Sequence, residues 1–383
     1  MQRTPCRIHG FSLVELMIAS TIGLLLLSGL AMIFVNTSDA NRELQKTAQQ
    51  IENGRYGIEI ISQDLRHAGF YGHVHNLALA QVPAQAVIPP DPCEDSDKDI
   101  LRSAMWFPVQ GYRGTIDAAS AAADVLPTGI PASCGAYLNA ANLVPGSDVL
   151  VIRRANTFAL DRAPAGTTAT RTARRDWIYL QASATNAIVQ IPSADTELLA
   201  TNNNAENTLV PVMNMINGVA APIRRYHVHI YFVAPCSVGA GANGVCNGGA
   251  GEDRIPTLKR LELTGKDLVS IVPLVEGIEY LKIEYGTDTL PLVVNITTGF
   301  AGDGAVDGFA PTPADFRSVI AAKLYLLARN TEGTRGYADN KTYLLGTSGT
   351  PNATTPARND TFKRHVYNSV VQLTNPAGRR LIP

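Results

Sequence analysis

The amino-terminal apolar run constrains the fold of this chain more than any other feature. From Leu16 to Val35 there are 20 residues without a charge. At about 1.5 Å rise per residue they form about 30 Å of helix, which is the thickness of a bilayer core. The leader before the run carries Arg3 and Arg7 and no acid. We therefore expect the leader to stay in the cytoplasm and everything after Val35 to lie on the other side of the membrane.

The simplest interpretation of this amino terminus is a secretory signal peptide or a signal anchor. A signal peptide carries a small-residue cleavage site after its apolar region, whereas here Gly10 precedes that region. In addition, Glu15 lies inside the apolar segment. A carboxylate in a membrane helix costs about 2.5 to 3.5 kcal/mol on insertion scales, so its presence indicates a function.

The string GFSLVELMIAS, from Gly10 to Ser20, resembles the class III signal of type IV prepilins and pseudopilins. The resemblance implies that a prepilin peptidase removes a leader of residues 1–10 by cutting between Gly10 and Phe11, and then N-methylates Phe11. It also implies that Glu15 pairs with the terminal amine of a neighbouring subunit during filament assembly. Breaking a buried charge pair costs about 3 to 5 kcal/mol, so subunits without the pairing should stay in the membrane.

The residues after the leader predict one long helix followed by a β-rich head. Residues 11–35 would form the membrane-spanning or filament-core half of the helix, and residues 36–68 an amphipathic stem. One apolar position recurs every seven residues in the stem: Leu44, Ile51, Ile58 and Leu65. A dimerising coiled coil is the alternative interpretation of this stripe. Residues 69–383, which we call the head, are predicted to be β-rich, because from about residue 76 onward several segments alternate polar and apolar side chains as in an antiparallel sheet.

The predicted fold is therefore α+β and type IV pilin-like, with the long amino-terminal helix packed on an antiparallel head. In the head, Ile271 to Tyr285 is predicted to form one strand. Val319 to Arg329 is predicted to form a strand buried on one face only. The other candidate strands are residues 148–154, 177–181, 187–191, 225–233, 257–263, 341–345 and 362–374.

Several head segments also resemble the PilW family of type IV pilus minor pilins. They are DLRHAGFYG, LVEGIEYLKIEYG, VIAAKLYLLARN and FKRHVYNSVVQLTNPAGRRL. The order and the spacing of these segments match the family, and so do their amino acids. Residues 76–220 show no recognisable similarity, and we interpret them as an insertion specific to this protein.

The cysteines predict structural disulfides on the oxidising side of the membrane. Removing the leader also removes Cys6 and leaves four cysteines: Cys93, Cys134, Cys236 and Cys246. Four cysteines allow three pairings. We favour Cys236 with Cys246, across a Gly-rich loop, and Cys93 with Cys134. Metal ligation is the less favoured alternative because neither pair has zinc-like spacing.

No cofactor is predicted, although two groups of side chains contain potential metal ligands. Asp288, Asp303 and Asp307 lie where PilW-like sequences often carry an Asp and Gly-rich run that looks like a calcium loop. Here the run is split, and it lacks the glutamate at the twelfth position of an EF-hand. We therefore favour an ordinary Asx and Gly turn, with calcium as the alternative. His227 and His229 share one strand face without a third ligand, and we interpret them as part of a polar, solvent-facing surface.

The same sequence predicts a structural protein and no enzyme. The catalytic motifs G-x-S-x-G, H-E-x-x-H and G-x-x-x-x-G-K-[ST] are absent. The net charge of -1 does not indicate the positively charged surface that nucleic-acid-binding proteins usually have. The resemblance implies a minor pilin that takes part in the initiation and assembly of type IV pili, in twitching motility and in adhesion. Its implied partners are other minor pilins, the major pilin, the prepilin peptidase and the pilus assembly platform. It would span the inner membrane once, with the head in the periplasm, and later reach the pilus and the cell surface.

Two alternative functions stay open at this point. A J-type pseudopilin of type II secretion shares the leader and the stem, but such pseudopilins are usually much shorter. A signal-anchored periplasmic binding protein or adhesin would never polymerise and would keep its amino terminus at Met1.

Overall fold

A computed structural model of the chain describes residues 12–83, 87–160, 172–173, 175–192, 196–197, 221–289 and 302–381. Its first element is a helix of 55 residues, α1 (Leu13–His67). The chain divides into two compact units, one up to Gln49 and the other from Gln50 onward. Among the described residues, α1 is the helix that is long and apolar enough to cross a membrane.

Two further short α-helices and fifteen strands follow α1 in the described residues. The helices are α2 (Lys98–Ser103) and α3 (Thr374–Gly378). The strands are β1 (Val109–Tyr112), β2 (Val149–Ala155), β3 (Thr172–Ala173), β4 (Tyr179–Ala182), β5 (Ala187–Gln190), β6 (Thr196–Glu197), β7 (Ile223–Ala234), β8 (Thr257–Gly265), β9 (Leu268–Glu276), β10 (Ile278–Thr287), β11 (Gly308–Ala310), β12 (Val319–Arg329), β13 (Tyr343–Leu344), β14 (Thr354–Thr355) and β15 (Arg364–Gln372).

Two antiparallel sheets form the framework of the head. The first sheet has seven strands in the order β1-β2-β7-β4-β5, with β8 paired to β7 and β9 paired to β8. The second has four strands in the order β11-β10-β12-β15. The pairs β13 with β14 and β3 with β6 are small ladders outside these sheets. The predicted α+β fold class, with a long amino-terminal helix and an antiparallel, β-rich head, is confirmed.

Within the second unit, the last turns of α1 pack between the two sheets. Ile61, Leu65 and Ala68 are fully buried in a cluster that includes apolar side chains from both sheets. The predicted stripe is therefore buried only in its last part, because Leu44 and Ile51 remain 68% and 46% exposed. Such burial of an amphipathic face supplies most of the stability of a helix in a protein.

A glycine in α1 allows the helix to approach the second sheet closely. A Cβ built on Gly54 would lie 2.1 Å from the aromatic ring of Tyr367 on β15. Real Cβ atoms do not come so close to a neighbour, so only glycine fits at this position without a shift of the ring. Nearby, Gln50 donates hydrogen bonds to the backbone oxygens of Ala328 at 2.8 Å and of Lys363 at 3.0 Å. These contacts attach the middle of α1 to the ends of β12 and β15.

The prediction of a single strand from Ile271 to Tyr285 is wrong. The segment forms β9 and β10, and these strands belong to different sheets. The break is at Gly277, which has a φ of +77°. Residues with a Cβ rarely adopt this backbone conformation. A Cβ at Gly277 would also lie 2.6 Å from the backbone oxygen of Arg329. The glycine thus lets the chain pass directly from one sheet to the other.

The prediction that β12 is buried on one face only is also wrong. Ala322, Leu324 and Leu326 face the cluster that contains α1, as the alternation predicts. The opposite face is covered as well, because Tyr325 and Leu327 pack in a separate apolar cluster. Residues from connecting segments, such as Ile116 and Leu345, supply the cover. The local pattern of polar and apolar side chains does not reveal a cover that distant segments provide.

Residues 76–220 contribute to the first sheet. The strands β1, β2, β4 and β5 all come from this part of the chain. Tyr226 to Tyr231 of β7 pair with β2 in antiparallel register, from Ala155 to Leu150. The region that we interpret from the sequence as an insertion therefore lies in the same sheet as β7 and β8.

Candidate functional site

The prepilin-like signal at the amino terminus is described only from Ser12 onward. Gly10, Phe11 and Cys6 lie outside the described residues. Glu15 lies in the first turn of α1, and its Oε2 accepts a hydrogen bond of 2.9 Å from the backbone N–H of Ser12. An acid in the first turn is favourable because the amino-terminal N–H groups of a helix are unpaired and partly positive. The carboxylate is thus held beside the start of the helix.

The first part of α1 exposes its apolar side chains on all sides. Leu25 and Phe34 are 72% and 76% exposed, and the neighbouring Leu24 and Leu26 are exposed as well. A helix that is apolar all round belongs inside a membrane or among other helices. The apolar half of α1 can therefore serve both membrane anchoring and helix bundling.

A buried cluster around Asp64 joins the end of α1 to the first sheet. Arg154 on β2 donates from Nε to Asp64 Oδ1 at 2.6 Å. The Nδ1 atom of His229 lies 2.6 Å from Asp64 Oδ2, and the Tyr231 hydroxyl donates to the same oxygen at 2.9 Å. Asp64 and His229 are each buried. One carboxylate thus ties the helix to two neighbouring strands.

The structure corrects the interpretation of His227 and His229 as a solvent-facing pair. Both side chains point to the face of β7 on which α1 packs, and His229 is buried against Asp64. Burial, with smaller contributions from His229 and Arg154, lowers the pKa of His227 to about 3, so His227 is neutral near pH 7. Burial by itself raises the pKa of Asp64, but His229 and Arg154 lower it by more, and the carboxyl group titrates well below its usual range.

The replacement Asp64→Asn is expected to lower the free energy of unfolding by about 1.5 to 3 kcal/mol at pH 7, the usual contribution of hydrogen bonds to a charged group. A depressed pKa in the folded state stabilises the protein above the unfolded pKa of about 3.9, and this contribution is lost as the pH falls below that value. The difference between Asp64→Asn and the unchanged chain should therefore shrink on acidification. Urea unfolding of the full-length protein in detergent, followed by tryptophan fluorescence from pH 7 to pH 3, measures it.

A matched control for Asp64→Asn is Glu52→Gln, which removes an exposed carboxylate from the same helix. This replacement should change the unfolding free energy by less than about 0.5 kcal/mol, as exposed sites usually do. Equal destabilisation by the two replacements, or a difference that does not depend on pH, would contradict the assignment of Asp64 as the charged link.

Two disulfides stabilise loops of the head. Cys93 joins Cys134, with their Cα atoms 5.4 Å apart, and Cys236 joins Cys246, with their Cα atoms 5.9 Å apart. The structure therefore contains the two pairings that the sequence favours. The second disulfide closes the Gly-rich loop, and a crosslink of this kind limits the entropy of the unfolded chain.

The three aspartates of the suggested calcium loop accept hydrogen bonds from the loop itself. Asp288 is fully buried, and its carboxylate accepts from the backbone N–H groups of Asp303 at 3.2 Å and Gly304 at 2.7 Å. Arg380 places a guanidinium nitrogen 3.6 Å from the same carboxylate. Asp307 accepts from the backbone N–H of Thr289 at 2.6 Å. The contacts of Asp288 and Asp307 join residues 15 to 18 positions apart, whereas Asp303 accepts from the backbone N–H of Ala305 at 3.0 Å, which is the contact of an Asx turn.

One group of potential metal ligands comes together in the described part of the chain, namely Asp91, Cys93 and Cys134. The two sulfur atoms are joined in a disulfide. Since the thiolate is the form of cysteine that binds metals, this group is not a ready metal site. Asp91 instead accepts hydrogen bonds from the backbone N–H of Cys93 and from the Ser133 hydroxyl.

The sequence analysis did not single out Asp64 as a functional residue. A signal was nevertheless present, because Asp64 lies between Ile61 and Leu65 and therefore on the apolar face of the stem. An acid in such a position requires a buried partner. His229 is 165 residues away, so the helical pattern alone could not identify it.

Comparisons with known proteins agree with the sequence signals at both ends of the chain. The family described as "Prokaryotic N-terminal methylation motif" matches residues 6–31, and the family described as "Type IV Pilus-assembly protein W" (PilW) matches residues 230–375. No curated protein matches the chain. The solved structure of the type IV-like pilin TTHA1219 from Thermus thermophilus is similar, with 15% identity, a TM-score of 0.21, and coverage of 53% of this chain and 86% of that one. The two family matches confirm the predicted resemblance: residues 6–31 of this chain match the prokaryotic N-terminal methylation motif, and residues 230–375 match the PilW family.

Proposed function

We propose that this protein is a structural minor pilin that takes part in the initiation and assembly of type IV pili. The observation that carries the proposal is the combination of a methylation motif over residues 6–31 with a helix whose apolar side chains are exposed all round. An anchor for a single protein needs the apolar helix but not the motif. A polymerising subunit needs both, because its helix leaves the membrane only when other helices replace the lipid.

The maturation steps follow from the positions of the motif residues. Prepilin peptidase cuts between Gly10 and Phe11 and methylates the new amino terminus at Phe11. Phe11 is four residues before Glu15 in the sequence. In the membrane the basic leader keeps the amino terminus at the cytoplasmic side, and the head enters the periplasm. The helix is thus held in the inner membrane at the place where the pilus assembly platform takes up subunits.

In the filament, Glu15 pairs with the Phe11 amine of a neighbouring subunit. The apolar part of α1, from Leu13 to Val35, enters the core among the helices of other minor pilins and the major pilin. The head faces outward, where it contributes to adhesion and twitching motility. The two disulfides and the buried Asp64 cluster keep the head folded outside the cell. The role is structural, and the residues of the amino-terminal motif act in assembly.

Mass spectrometry of the full-length protein, purified from cells that produce prepilin peptidase, tests this function. The expected amino terminus is N-methylated Phe11, without residues 1–10. The control is the same chain made in cells that lack the peptidase, in which the amino terminus should stay at Met1 and Cys6 should be present. An amino terminus at Met1 in both preparations would contradict the pilin function and favour the signal-anchored binding protein or adhesin.

A further inference from the structure

A buried lysine lies against the disulfide that closes the Gly-rich loop. Lys259 is on β8, which pairs with β7 on one side and β9 on the other, and it is only 1% exposed. Its Nζ atom is 3.4 Å from Cys246 Sγ and 3.8 Å from Cys236 Sγ. The same atom donates to the backbone oxygen of Gly244 at 3.0 Å. The ammonium group is therefore held beside both sulfur atoms by a strand in the interior of a sheet.

This ammonium group lacks a close counter-ion among the described residues. An ammonium group has three donors, and the sulfur of a cysteine is a weak acceptor. Asp253 and Glu252 favour the charged form of Lys259 electrostatically, but neither forms a direct ion pair with it in the described part of the chain. A buried charge is costly unless an opposite charge is close. Reduction of the disulfide would supply that charge, because a cysteine beside a lysine is readily deprotonated to the thiolate.

The other disulfide of the head has the opposite electrostatic environment. Asp91 Oδ1 lies 3.9 Å from Cys134 Sγ. The same carboxylate group accepts a hydrogen bond of 2.8 Å from the backbone N–H of Cys93. A negative charge at this distance disfavours a thiolate. Reduction is thus favoured electrostatically at one disulfide and disfavoured at the other.

The Gly-rich loop has contacts that do not depend on its disulfide. Glu252 accepts hydrogen bonds from the backbone N–H groups of Ala240 at 2.9 Å and Asn247 at 2.7 Å. Asp253 accepts from the backbone N–H of Ser237 at 2.7 Å. These bonds hold both ends of the loop after the S–S bond breaks. The two thiols therefore stay close together, and the disulfide can form again.

We propose that Cys236–Cys246 is a site of reversible thiol–disulfide exchange with a dithiol reductant, promoted by Lys259, whereas Cys93–Cys134 is a permanent structural crosslink. Both sulfur atoms of the exchange site are buried, so the Gly-rich loop has to move aside before a reductant reaches them. The inference goes beyond the assembly function and does not depend on it.

The position of Lys259 indicates the order of the bond changes. A thiolate of the reductant attacks Cys236 Sγ and forms a mixed disulfide, and the electron pair of the broken S–S bond moves to Cys246. Cys246 is the better leaving group because its sulfur is closer to the ammonium group, and a stabilised thiolate leaves faster. The second thiol of the reductant then attacks the mixed disulfide and releases Cys236, which takes up a proton. The reductant becomes a disulfide, and its other proton passes to the solvent.

Equilibration of the full-length protein with reduced and oxidised dithiothreitol tests the proposal. All chains carry Cys6→Ser, so only the four cysteines of the head react. Acid quenching, alkylation and peptide mass spectrometry give the reduced fraction of each disulfide, and near-ultraviolet circular dichroism verifies the fold. At each ratio of the two dithiothreitol forms, Cys236–Cys246 should be reduced to a larger fraction than Cys93–Cys134. The reverse order would overturn the proposal.

The variant Lys259→Met should lower the equilibrium constant for reduction of Cys236–Cys246 at least tenfold, which is about 30 mV for this two-electron couple. The Cys93–Cys134 disulfide in the same molecule should change less than twofold. Lys266→Met is the matched control, since Lys266 is an exposed lysine, and it should change neither disulfide. An unchanged constant in folded Lys259→Met, or an equal shift in the control, would contradict the role of Lys259.

A second measurement needs no replacement of Lys259, so it decides the question even if Lys259→Met does not fold. The rate of alkylation of each thiol in the reduced protein is followed against pH by peptide mass spectrometry. The Cys246 thiol should titrate below the usual cysteine pKa of about 8.5, and the Cys134 thiol above it. A pKa of Cys246 at or above that value would refute the proposal.

Discussion

The replacement Lys282→Met is expected to lower the free energy of unfolding of the head by about 3 to 5 kcal/mol, the cost of leaving one member of a buried ion pair alone. The Nζ atom of Lys282 lies 2.5 Å from Asp148 Oδ1, and each side chain is only 4% exposed. Lys282 also donates to the backbone oxygens of Gly114 at 2.6 Å and Gly146 at 3.2 Å. Methionine fills a similar space but leaves the Asp148 carboxylate and two carbonyl groups without their cation.

The position of this pair explains why its loss should be large. Lys282 is on β10 of the second sheet, and Asp148 immediately precedes β2 of the first. The Asp148 carboxylate also accepts from the backbone N–H of Ile283 at 2.9 Å and of Gly114 at 3.0 Å. Burial lowers the pKa of Lys282, an effect that the Asp148 carboxylate partly offsets. The pair therefore connects the two sheets, and both charges depend on each other.

A double-mutant cycle separates the pair from the rest of the lysine contacts. Urea unfolding is measured for Lys282→Met, Asp148→Asn and the double variant, and the two effects should be less than additive by about 0.5 to 3 kcal/mol. The control Lys341→Met removes an exposed lysine and should change stability by less than about 0.5 kcal/mol. Strict additivity in the cycle would show that the two charges do not support each other.

The sequence predicted those parts of the fold that follow from local periodicity. The long helix follows from the apolar run and the stem stripe, and the structure ends it at His67, just before Gly69 with its φ of +72°. Strand β12 lies where the alternation of VIAAKLYLLARN predicts it. In these segments the side-chain pattern and the tertiary structure agree, so a single stretch of sequence is enough.

The sequence did not predict which strands share a sheet, because strand pairing depends on residues that are far apart in the chain. β9 and β10 are separated only by Gly277, and the apolar pattern continues across it. The first sheet also contains strands from residues 76–220, which lie outside the two family matches. A local pattern determines whether a segment is a strand, whereas the partner of that strand is set by segments far away in the chain.

The candidate sites show the same difference. The amino-terminal motif is contiguous, so the sequence alone located it, and a family match covers it. By contrast, the cluster around Asp64 gathers Asp64, Arg154 and His229 from three separate elements, α1, β2 and β7. The ion pair of Asp148 and Lys282 joins residues 134 positions apart. Sites built by tertiary contacts have no sequence signature unless a charged residue interrupts an apolar face, as Asp64 does between Ile61 and Leu65 in α1.

The replacement Glu15→Leu is expected to reduce the amount of this protein in sheared pili at least tenfold while the membrane fraction retains it. In the proposed filament, Glu15 neutralises the methylated amine of Phe11 on a neighbouring subunit. Leucine would leave that ammonium group unpaired among apolar helices, at a cost of about 3 to 5 kcal/mol. Because a factor of ten corresponds to about 1.4 kcal/mol, the loss should be readily measurable. Immunoblots of sheared pili and of membranes determine the ratio.

Membrane insertion favours an apolar side chain at position 15, whereas the proposed assembly requires the glutamate. The experiment can therefore distinguish failed insertion from failed assembly. In the membrane, leucine is better than glutamate by the insertion cost of a carboxylate, about 2.5 to 3.5 kcal/mol. A loss from pili thus cannot come from failed insertion. The control Ser20→Leu also increases the apolar character of the helix. In the described part of the chain the Ser20 hydroxyl bonds within its own helix, to the Met17 oxygen at 3.0 Å, so pili should retain that variant. Normal recovery of Glu15→Leu in pili would refute the pairing, and loss of both variants would instead indicate that a more apolar helix is retained by the lipid.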